Sequence, residues 1–378
     1  MNKINIYSYI ISILIFIFIF FIWYLKNYEI IITTDGLFYL NLSSTLINYS
    51  FNPYTYFKES NIDYGNILYI VGIYYFSFIY LIFENNWALI FILINIFFIT
   101  LVFFLIQKNI KPFNILALFI FAAIFLISHE YFYWFQYTLI DIFNGSLIFI
   151  TFLYAIKNQH NLSRIIIFFI IMTLIIFIRP TNIAYSFFII LIAIYKLKIL
   201  ENYRHKKIFI LLITLSTFIL TYSLIIFLYI FYKDLFAETY LSRVFTHFEN
   251  GVIIHDRPET YLVNSNNLAS YVSIYFKRLI YFFYVYSDSF SNKHIFLNII
   301  YFFCIYIFST ISILFFHKES NKNKDIIFFS VLFILLNAHL CSITFIDYDW
   351  RYRIPSYPFL LMLSLLGVNS ILRLYKNE

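Results

Sequence analysis

Charged residues are scarce in this chain of 378 residues. Asp, Glu, Lys and Arg together make up 12% of it, whereas soluble globular proteins carry about 25%. Hydrophobic residues make up 62%, and the mean hydropathy is +0.83. Apolar runs of roughly 17–25 residues recur along the chain, which is the length that a helix needs to cross a hydrocarbon core about 30 Å thick. The composition therefore excludes a soluble domain and predicts an integral membrane protein built from helices.

Cysteine and glycine are also rare. The two cysteines, Cys304 and Cys341, both lie inside apolar runs, so they predict neither a disulfide framework nor a metal site. The histidines and acids lack the helical spacing of zinc ligands. With six glycines and no alternating pattern of about ten residues, the sequence argues against a membrane β-barrel. The net charge of +7 is explained by the loops described next, and it does not imply a nucleic acid partner.

Ten apolar segments are predicted to cross the membrane, which makes an all-α polytopic membrane protein with both termini in the cytoplasm. They are 4–24, 87–107, 112–128, 139–157, 164–178, 181–197, 207–232, 294–316, 325–345 and 354–373. The apolar segment 65–83 is predicted to stay at the outer face, because an extra crossing would put basic loops on the wrong side. The loops assigned to the cytoplasm, with both termini, hold 15 lysines and arginines against four acids, which satisfies the positive-inside rule. These loops are 107–112, 157–164, 196–207 and 317–325.

The chain divides into three parts. They are an N-terminal transmembrane module at 1–232, an outer region at 233–293 and C-terminal transmembrane helices at 294–378. The first span has no cleavage site after it and is interpreted as an uncleaved anchor. In the first outer loop, 27–64, polar and apolar residues recur with a helical period, which predicts an amphipathic helix in the membrane interface. Thr34 or Asp35 is predicted to cap this helix.

On this topology most of the acids fall on the outer face, and arginines gather there too. Asp35 opens the first outer loop, and Asp141 lies near the start of a span. Arg179 lies in a turn between two spans, while Arg351 and Arg353 precede the last span. A guanidinium binds phosphate through a planar fork of donors, and a carboxylate can accept a proton from an attacking hydroxyl. The arrangement suits a reaction on a lipid phosphate. Further candidates on this face are Glu130, His255, Arg257, Lys277 and Arg278.

Three stretches on the predicted outer face carry a family resemblance. The first, 34–39 (TDGLFY), has an acid followed by an aromatic and aliphatic helix. The second is 178–182 (IRPTN), and the third is 350–358 (WRYRIPSYP), which is similar to an Arg-Tyr-x-x-Pro-x-x-Pro pattern. In this order, over nearly the whole chain, they resemble the C-type (GT-C) glycosyltransferases related to protein O-mannosyltransferases and aminoarabinose transferases. That family also has a non-crossing segment after its first loop.

The resemblance implies a GT-C-like bundle of about ten transmembrane helices with interfacial helices on the outer face. It implies an inverting transfer of a sugar from a polyprenyl-phosphate donor to a hydroxyl of a glycan, lipid or protein, at the outer face of the plasma (inner) membrane. Asp35 would be catalytic, with Asp141 as a stand-in for a second acid. The lipid phosphate would be bound by Arg351 and Arg353, with help from Arg179 or from Lys277 and Arg278. Apart from the resemblance, Glu130, His255 and Arg257 are candidates for acceptor or donor contacts because of their position on the predicted outer face. The family often has a further acid where this chain has Gly36, which leaves the acceptor and any need for a divalent metal open.

Other roles are open for the same residues. Asp35 can act only as a helix cap, Arg179 can snorkel to the interface, and Arg351 fits an aromatic belt beside a span. A polysaccharide polymerase of the O-antigen type also combines many spans with one large outer loop. It would depend on arginines in 233–293 and not on Asp35. A transporter is disfavoured, because mid-span positions are almost free of charge.

Overall fold

The computed structural model describes residues 3–25, 30–53, 55–56, 69–128, 131–132, 134–157, 162–179, 181–196, 268–286, 291–343 and 350–376. In these ranges the chain is helical, and an isolated parallel bridge between Ile31 and Tyr137 is its one contact of β type. The prediction of an all-α protein is therefore confirmed for the described part of the chain.

Twelve α-helices occur in the described ranges. They are α1 (Lys3–Leu25), α2 (Thr34–Asn48), α3 (Ile70–Phe83), α4 (Trp87–Ile110), α5 (Ile115–Leu126), α6 (Asp141–Ile156), α7 (Leu162–Ile176), α8 (Asn182–Lys196), α9 (Leu268–Tyr281), α10 (Asn292–Leu314), α11 (Asn321–Ile343) and α12 (Tyr357–Tyr375). Short 3₁₀ segments lie at Glu84–Asn86, Trp134–Gln136, Phe316–Lys318 and Trp350–Ser356. Helix α12 is central, because every residue from Tyr357 to Ser370 is buried.

Loops that the charge pattern assigns to the cytoplasm meet at one end of the bundle, which we call the basic end. Lys196, at the end of α8, forms an ion pair with Asp325 at the start of α11. Lys322 Nζ donates to the carbonyl of Asn109, at the end of α4, over 2.7 Å. These contacts agree with the predicted sorting of the loops. The side of the membrane that the basic end faces stays a prediction.

Helix α3 begins and ends at the other end of the bundle. The N–H of Val71 donates to the carbonyl of Phe177, just after α7, over 3.0 Å. At its far end the chain reaches Glu84, whose φ of 40° breaks the helix before α4 begins. Because α4 runs from Glu84 to the basic end, both ends of α3 lie at the opposite end of the bundle. A segment 65–83 that does not cross the membrane, as predicted, requires this arrangement.

Within the part of the chain that the structure describes, five stretches have the length and hydropathy to cross a membrane: Ile6–Leu25, Ile70–Ile110 (which contains the break at Glu84), Asn292–Leu314, Asn321–Ser342 and Arg351–Tyr375. Four shorter apolar helices, Ile115–Leu126, Asp141–Ile156, Ile167–Ile176 and Asn182–Lys196, accompany them. These are the elements of a helical membrane protein. Ten crossings stay a prediction, and the predicted span 207–232 lies outside the described residues.

Candidate functional site

The first outer loop is joined to the loop before α6 by main-chain hydrogen bonds. The N–H of Ile31 donates to the carbonyl of Gln136 over 2.9 Å, and the N–H of Thr138 donates to the carbonyl of Ile31 over 3.0 Å. We call this pair of bonds the main-chain clip. Gly36 allows the close approach, since a Cβ there would lie 1.8 Å from Oγ1 of Thr138 and 2.7 Å from its carbonyl oxygen. The clip therefore brings the start of α2 beside the start of α6.

Helix α2 is capped by Thr33, whose hydroxyl accepts a hydrogen bond from the N–H of Gly36 over 2.9 Å. The prediction that Thr34 or Asp35 caps this helix is therefore wrong. Thr33 has the extended backbone of a cap residue, and its hydroxyl satisfies an N–H of the first turn. Asp35 lies within that turn, where a negative charge is favoured by the helix dipole, and its carboxylate is left for another partner.

That partner is Arg351, which lies 316 residues later in the chain. Nη2 of Arg351 is 2.5 Å from Oδ2 of Asp35. The side chain of Arg351 is only 10% exposed, whereas that of Asp35 is 46% exposed. A buried cation is thus paired with an anion that still meets solvent. Two of the predicted site residues, from opposite ends of the chain, are brought together.

A second ion pair joins Arg179, in the turn after α7, to Asp141, the first residue of α6. Nη1 of Arg179 lies 2.8 Å from Oδ1 of Asp141, and Nη2 lies 3.0 Å from Oδ2, so the pair is bidentate. Side-chain exposures are 13% for Arg179 and 3% for Asp141. Burial lowers the pKa of Arg179, but Asp141, Tyr39 and Tyr352 together more than offset this, and the pKa is raised overall. Arg179 therefore stays charged at neutral pH.

Tyr352 connects the two ion pairs. The centroid of its ring lies 5.1 Å from Cζ of Arg351 and 6.0 Å from Cζ of Arg179, distances at which a cation attracts an aromatic ring. Its hydroxyl also accepts a hydrogen bond from Nη2 of Arg351 over 3.3 Å. We call the end of the bundle that holds Asp35, Asp141, Arg179 and Arg351 the site end. The formal charges of these four residues sum to zero.

Tyr39 and Tyr69 also line this cluster, and neither was predicted from the sequence as a site residue. Their ring centroids lie 6.3 Å apart. Burial raises the pKa of both hydroxyls. In both, the charge of Arg179 lowers the pKa and the charge of Asp35 raises it. At neutral pH they are therefore neutral hydrogen-bond donors. Tyr39 belongs to the TDGLFY stretch, which offered a signal, whereas no motif marks Tyr69.

The remaining predicted phosphate-binding cations lie elsewhere. Nη1 of Arg353 donates to the carbonyl of Tyr284 over 2.7 Å, and the residue is 2% exposed. Arg278, near the end of α9, is 1% exposed, and both arginines act electrostatically on Cys341. Lys277 is exposed. Arg353 and Arg278 are thus two buried cations near Cys341, whereas Lys277 is not buried with them.

Beneath the ion pairs, polar and small residues hold the supporting helices together. The amides of Asn144 on α6 and Asn182 on α8 donate to each other, over 3.2 Å and 2.7 Å. Gly145 allows the segment Trp350–Ser356 to pack closely on α6, because a Cβ at Gly145 would lie 3.3 Å from Cα of Pro355. Helix α6, which begins at Asp141, is therefore joined to α8 and packed against the segment that carries Arg351.

Three predicted contact residues, Glu130, His255 and Arg257, lie outside the described residues. Within the described ranges, no three His, Cys, Asp or Glu side chains come together as a metal site would require. No family model matches the chain, and neither a curated protein nor a solved structure shows significant similarity to it.

Proposed function

We propose that this protein is a membrane glycosyltransferase that takes a sugar from a polyprenyl-phosphate donor and transfers it to an acceptor hydroxyl. The observation that carries the proposal is the convergence of Asp35, Asp141, Arg179 and Arg351 at one end of a helical bundle. These residues come from four segments that are far apart in the sequence. A carboxylate that meets solvent beside largely buried guanidiniums is what proton removal next to a bound phosphate requires.

Because the four charges of the cluster sum to zero, we propose that an anionic phosphate binds by displacing one of the two carboxylates from its arginine. The Asp141–Arg179 pair is bidentate and buried, so it is costly to open. The Asp35–Arg351 pair is joined through Nη2 and Oδ2, and its carboxylate is half-exposed, so it opens at lower cost. In our proposal the donor phosphate takes the place of the Asp35 carboxylate on Arg351. Donor binding would then release Asp35 for catalysis.

The released Asp35 carboxylate would act as the general base. The acceptor oxygen forms a bond to the anomeric carbon as its proton passes to Asp35. The bond between that carbon and the phosphate oxygen breaks, and the polyprenyl phosphate leaves with the electron pair. Because the acceptor attacks from the opposite face, the configuration at the anomeric carbon is inverted. Arg351 and Arg179 would stabilise the charge that develops on the leaving group, a contribution of roughly 3–4 kcal/mol to the barrier for one such donor. Asp141 would position Arg179, while the buried charges of Arg353 and Arg278 would favour the lipid phosphate from a distance.

The proposed setting follows from the charge pattern. The basic end would face the cytoplasm, and the site end would face outwards across the plasma (inner) membrane. The polyprenyl chain would stay in the bilayer, and the acceptor, a glycan, lipid or protein, would approach from outside. The sugar, and any divalent metal, are left open by the proposal.

The proposal is tested by donor consumption. Membranes containing wild type, Asp35→Asn or Glu84→Gln at equal abundance are given radiolabelled polyprenyl-phosphate sugars and cell-envelope acceptors. Glu84 is an exposed acid at the same end of the bundle, so its variant matches the change in charge. We expect wild type and Glu84→Gln to consume one donor, and Asp35→Asn to be slower by about 10²–10⁴-fold. Equal consumption by all three would refute the role of Asp35 and favour a polymerase that depends on 233–293. The absence of consumption by wild type would refute the reaction.

The displacement step has its own test, the affinity for polyprenyl monophosphate in detergent micelles. If phosphate competes with Asp35 for Arg351, Asp35→Asn should bind it more tightly, by about fivefold, because about 1 kcal/mol of pairing no longer opposes binding. Glu84→Gln should change the affinity far less. Unchanged or weaker binding by Asp35→Asn would show that the phosphate does not displace this carboxylate.

A further inference from the structure

The segment Trp350–Ser356, which carries Arg351, contains a gap in its own hydrogen bonding. In a 3₁₀ helix each carbonyl accepts from the N–H three residues later. For Tyr352 that position is occupied by Pro355, which has no N–H to donate. The turn that presents Arg351 therefore cannot hold the Tyr352 carbonyl by its regular bond and needs a donor from elsewhere.

Asn337, on α11, supplies that donor. Its Nδ2 donates to the carbonyl of Tyr352 over 3.0 Å and to Oγ of Ser356 over 2.8 Å. Its Oδ1 accepts a hydrogen bond from the hydroxyl of Tyr185 over 2.5 Å. The side chain is fully buried within an apolar helix, where an amide is tolerated only when its polar atoms are satisfied.

Tyr185 also lies near a second group of buried polar side chains, below the other ion pair. It lies one turn after Asn182 on α8, and Asn182 exchanges hydrogen bonds with Asn144 on α6. Helix α8 begins three residues after Arg179, and α6 begins at Asp141. Buried polar side chains on α6, α8 and α11 thus lie between the helices of one ion pair and the turn that carries the other.

We infer that Asn337 is a positioning residue that holds the turn of Arg351 in place by replacing the hydrogen bond that Pro355 cannot make. It does not touch the ion pairs themselves and acts through the backbone of Tyr352. Its effect on phosphate binding rests on the proposed function, whereas its effect on the turn does not.

Backbone hydrogen exchange of the purified full-length protein tests the effect on the turn. Asn337→Leu should speed exchange in 350–356 by about tenfold, because the hydroxyl of Ser356 loses the Asn337 amide as its donor, and the carbonyl of Tyr352 keeps only weaker donors such as the Cys341 thiol at 3.9 Å. Exchange at the basic end, in 316–325, should stay as in wild type. Adding Pro355→Ala supplies a backbone N–H at the right place and should restore much of the protection. Tyr185→Phe, a milder change, should loosen the same segment less and serves where Asn337→Leu does not fold.

Equal exchange in 350–356 of wild type and variants would overturn the inference. An increase of the same size at both ends, without rescue by Pro355→Ala, would also overturn it, because it would indicate general loosening.

Binding of polyprenyl monophosphate in micelles shows whether Asn337 acts through Arg351. Asn337→Leu should weaken binding by about tenfold in the wild-type background and cause no further loss in Arg351→Ala. Losses that multiply in the double variant would contradict the inference, since a residue acting elsewhere adds its own effect. If wild type does not bind the lipid, the proposed function fails, and the exchange measurement still decides the role of Asn337.

Discussion

Loss of the Asp141–Arg179 ion pair should lower the free energy of unfolding much more than loss of the Asp35–Arg351 pair. In Asp141→Asn, the guanidinium of Arg179 loses the negative charge that it contacts at 2.8 and 3.0 Å. The side chains of Arg179 and Asp141 are only 13% and 3% exposed, so solvent screens the remaining charge little. Leaving one buried charge uncompensated costs roughly 3–5 kcal/mol. Asp35→Asn also leaves a buried guanidinium, that of Arg351. The lost carboxylate is 46% exposed, however, so water can take its place beside Nη2 of Arg351, and a pair screened in this way contributes about 1 kcal/mol or less. We therefore expect the free energy of unfolding to fall by at least about 2 kcal/mol more for Asp141→Asn.

Unfolding in mixed micelles with increasing denaturing detergent, followed by tryptophan fluorescence, measures this difference. The double variant Asp141→Asn, Arg179→Met is the decisive companion, because removing both partners leaves no buried charge and should recover most of the loss. Equal losses for Asp35→Asn and Asp141→Asn would refute the reasoning. A double variant less stable than Asp141→Asn alone would show that Arg179 is stabilised mainly by other contacts.

Two glycine substitutions give further predictions. Gly367→Ala puts a Cβ 1.9 Å from the carbonyl oxygen of Phe308, so α10 and α12 must separate; we expect a loss of about 1–3 kcal/mol in the same unfolding assay. Gly145→Ala, with 3.3 Å to its nearest neighbour, is the milder control, and equal losses would contradict the packing argument. Gly36→Ala collides with Thr138 and should shift Asp35; because a misplacement of about 1 Å can cost about 10²-fold, donor consumption should fall sharply. Consumption as in wild type would show that the close approach of α2 is dispensable.

The charge pattern was sufficient to predict which loops share an end of the bundle. Lys196 and Asp325 were assigned to the same side and form an ion pair, while Asp35 and Arg351 meet at the opposite end. What the pattern could not supply was the pairing of acids with arginines. Helices that are apolar on almost every side carry no clear facing direction in their sequence, so rotation about each axis is decided by packing.

The boundary of α2 and the support of the site were missed for local reasons. Thr33 and Thr34 are adjacent and both can cap a helix, so the sequence does not distinguish a start one residue earlier. Asn337 lies in an apolar run and resembles any isolated polar residue in a span. Its importance follows from Pro355. The sequence shows that Pro355 has no N–H for the carbonyl of Tyr352, but only the packing of α11 against that turn shows that Asn337 supplies the donor.

The main-chain clip between Ile31 and residues 136–138 has a consequence for the evolution of this sequence. Its two hydrogen bonds use only backbone atoms, so replacing most side chains around it leaves the bonds intact. Aliphatic and aromatic residues can be exchanged there without altering the spacing between the starts of α2 and α6. Mutations are constrained chiefly at Gly36, where there is no room for a Cβ. A chain built in this way can keep the relative placement of Asp35 and Asp141 while its surrounding sequence diverges widely.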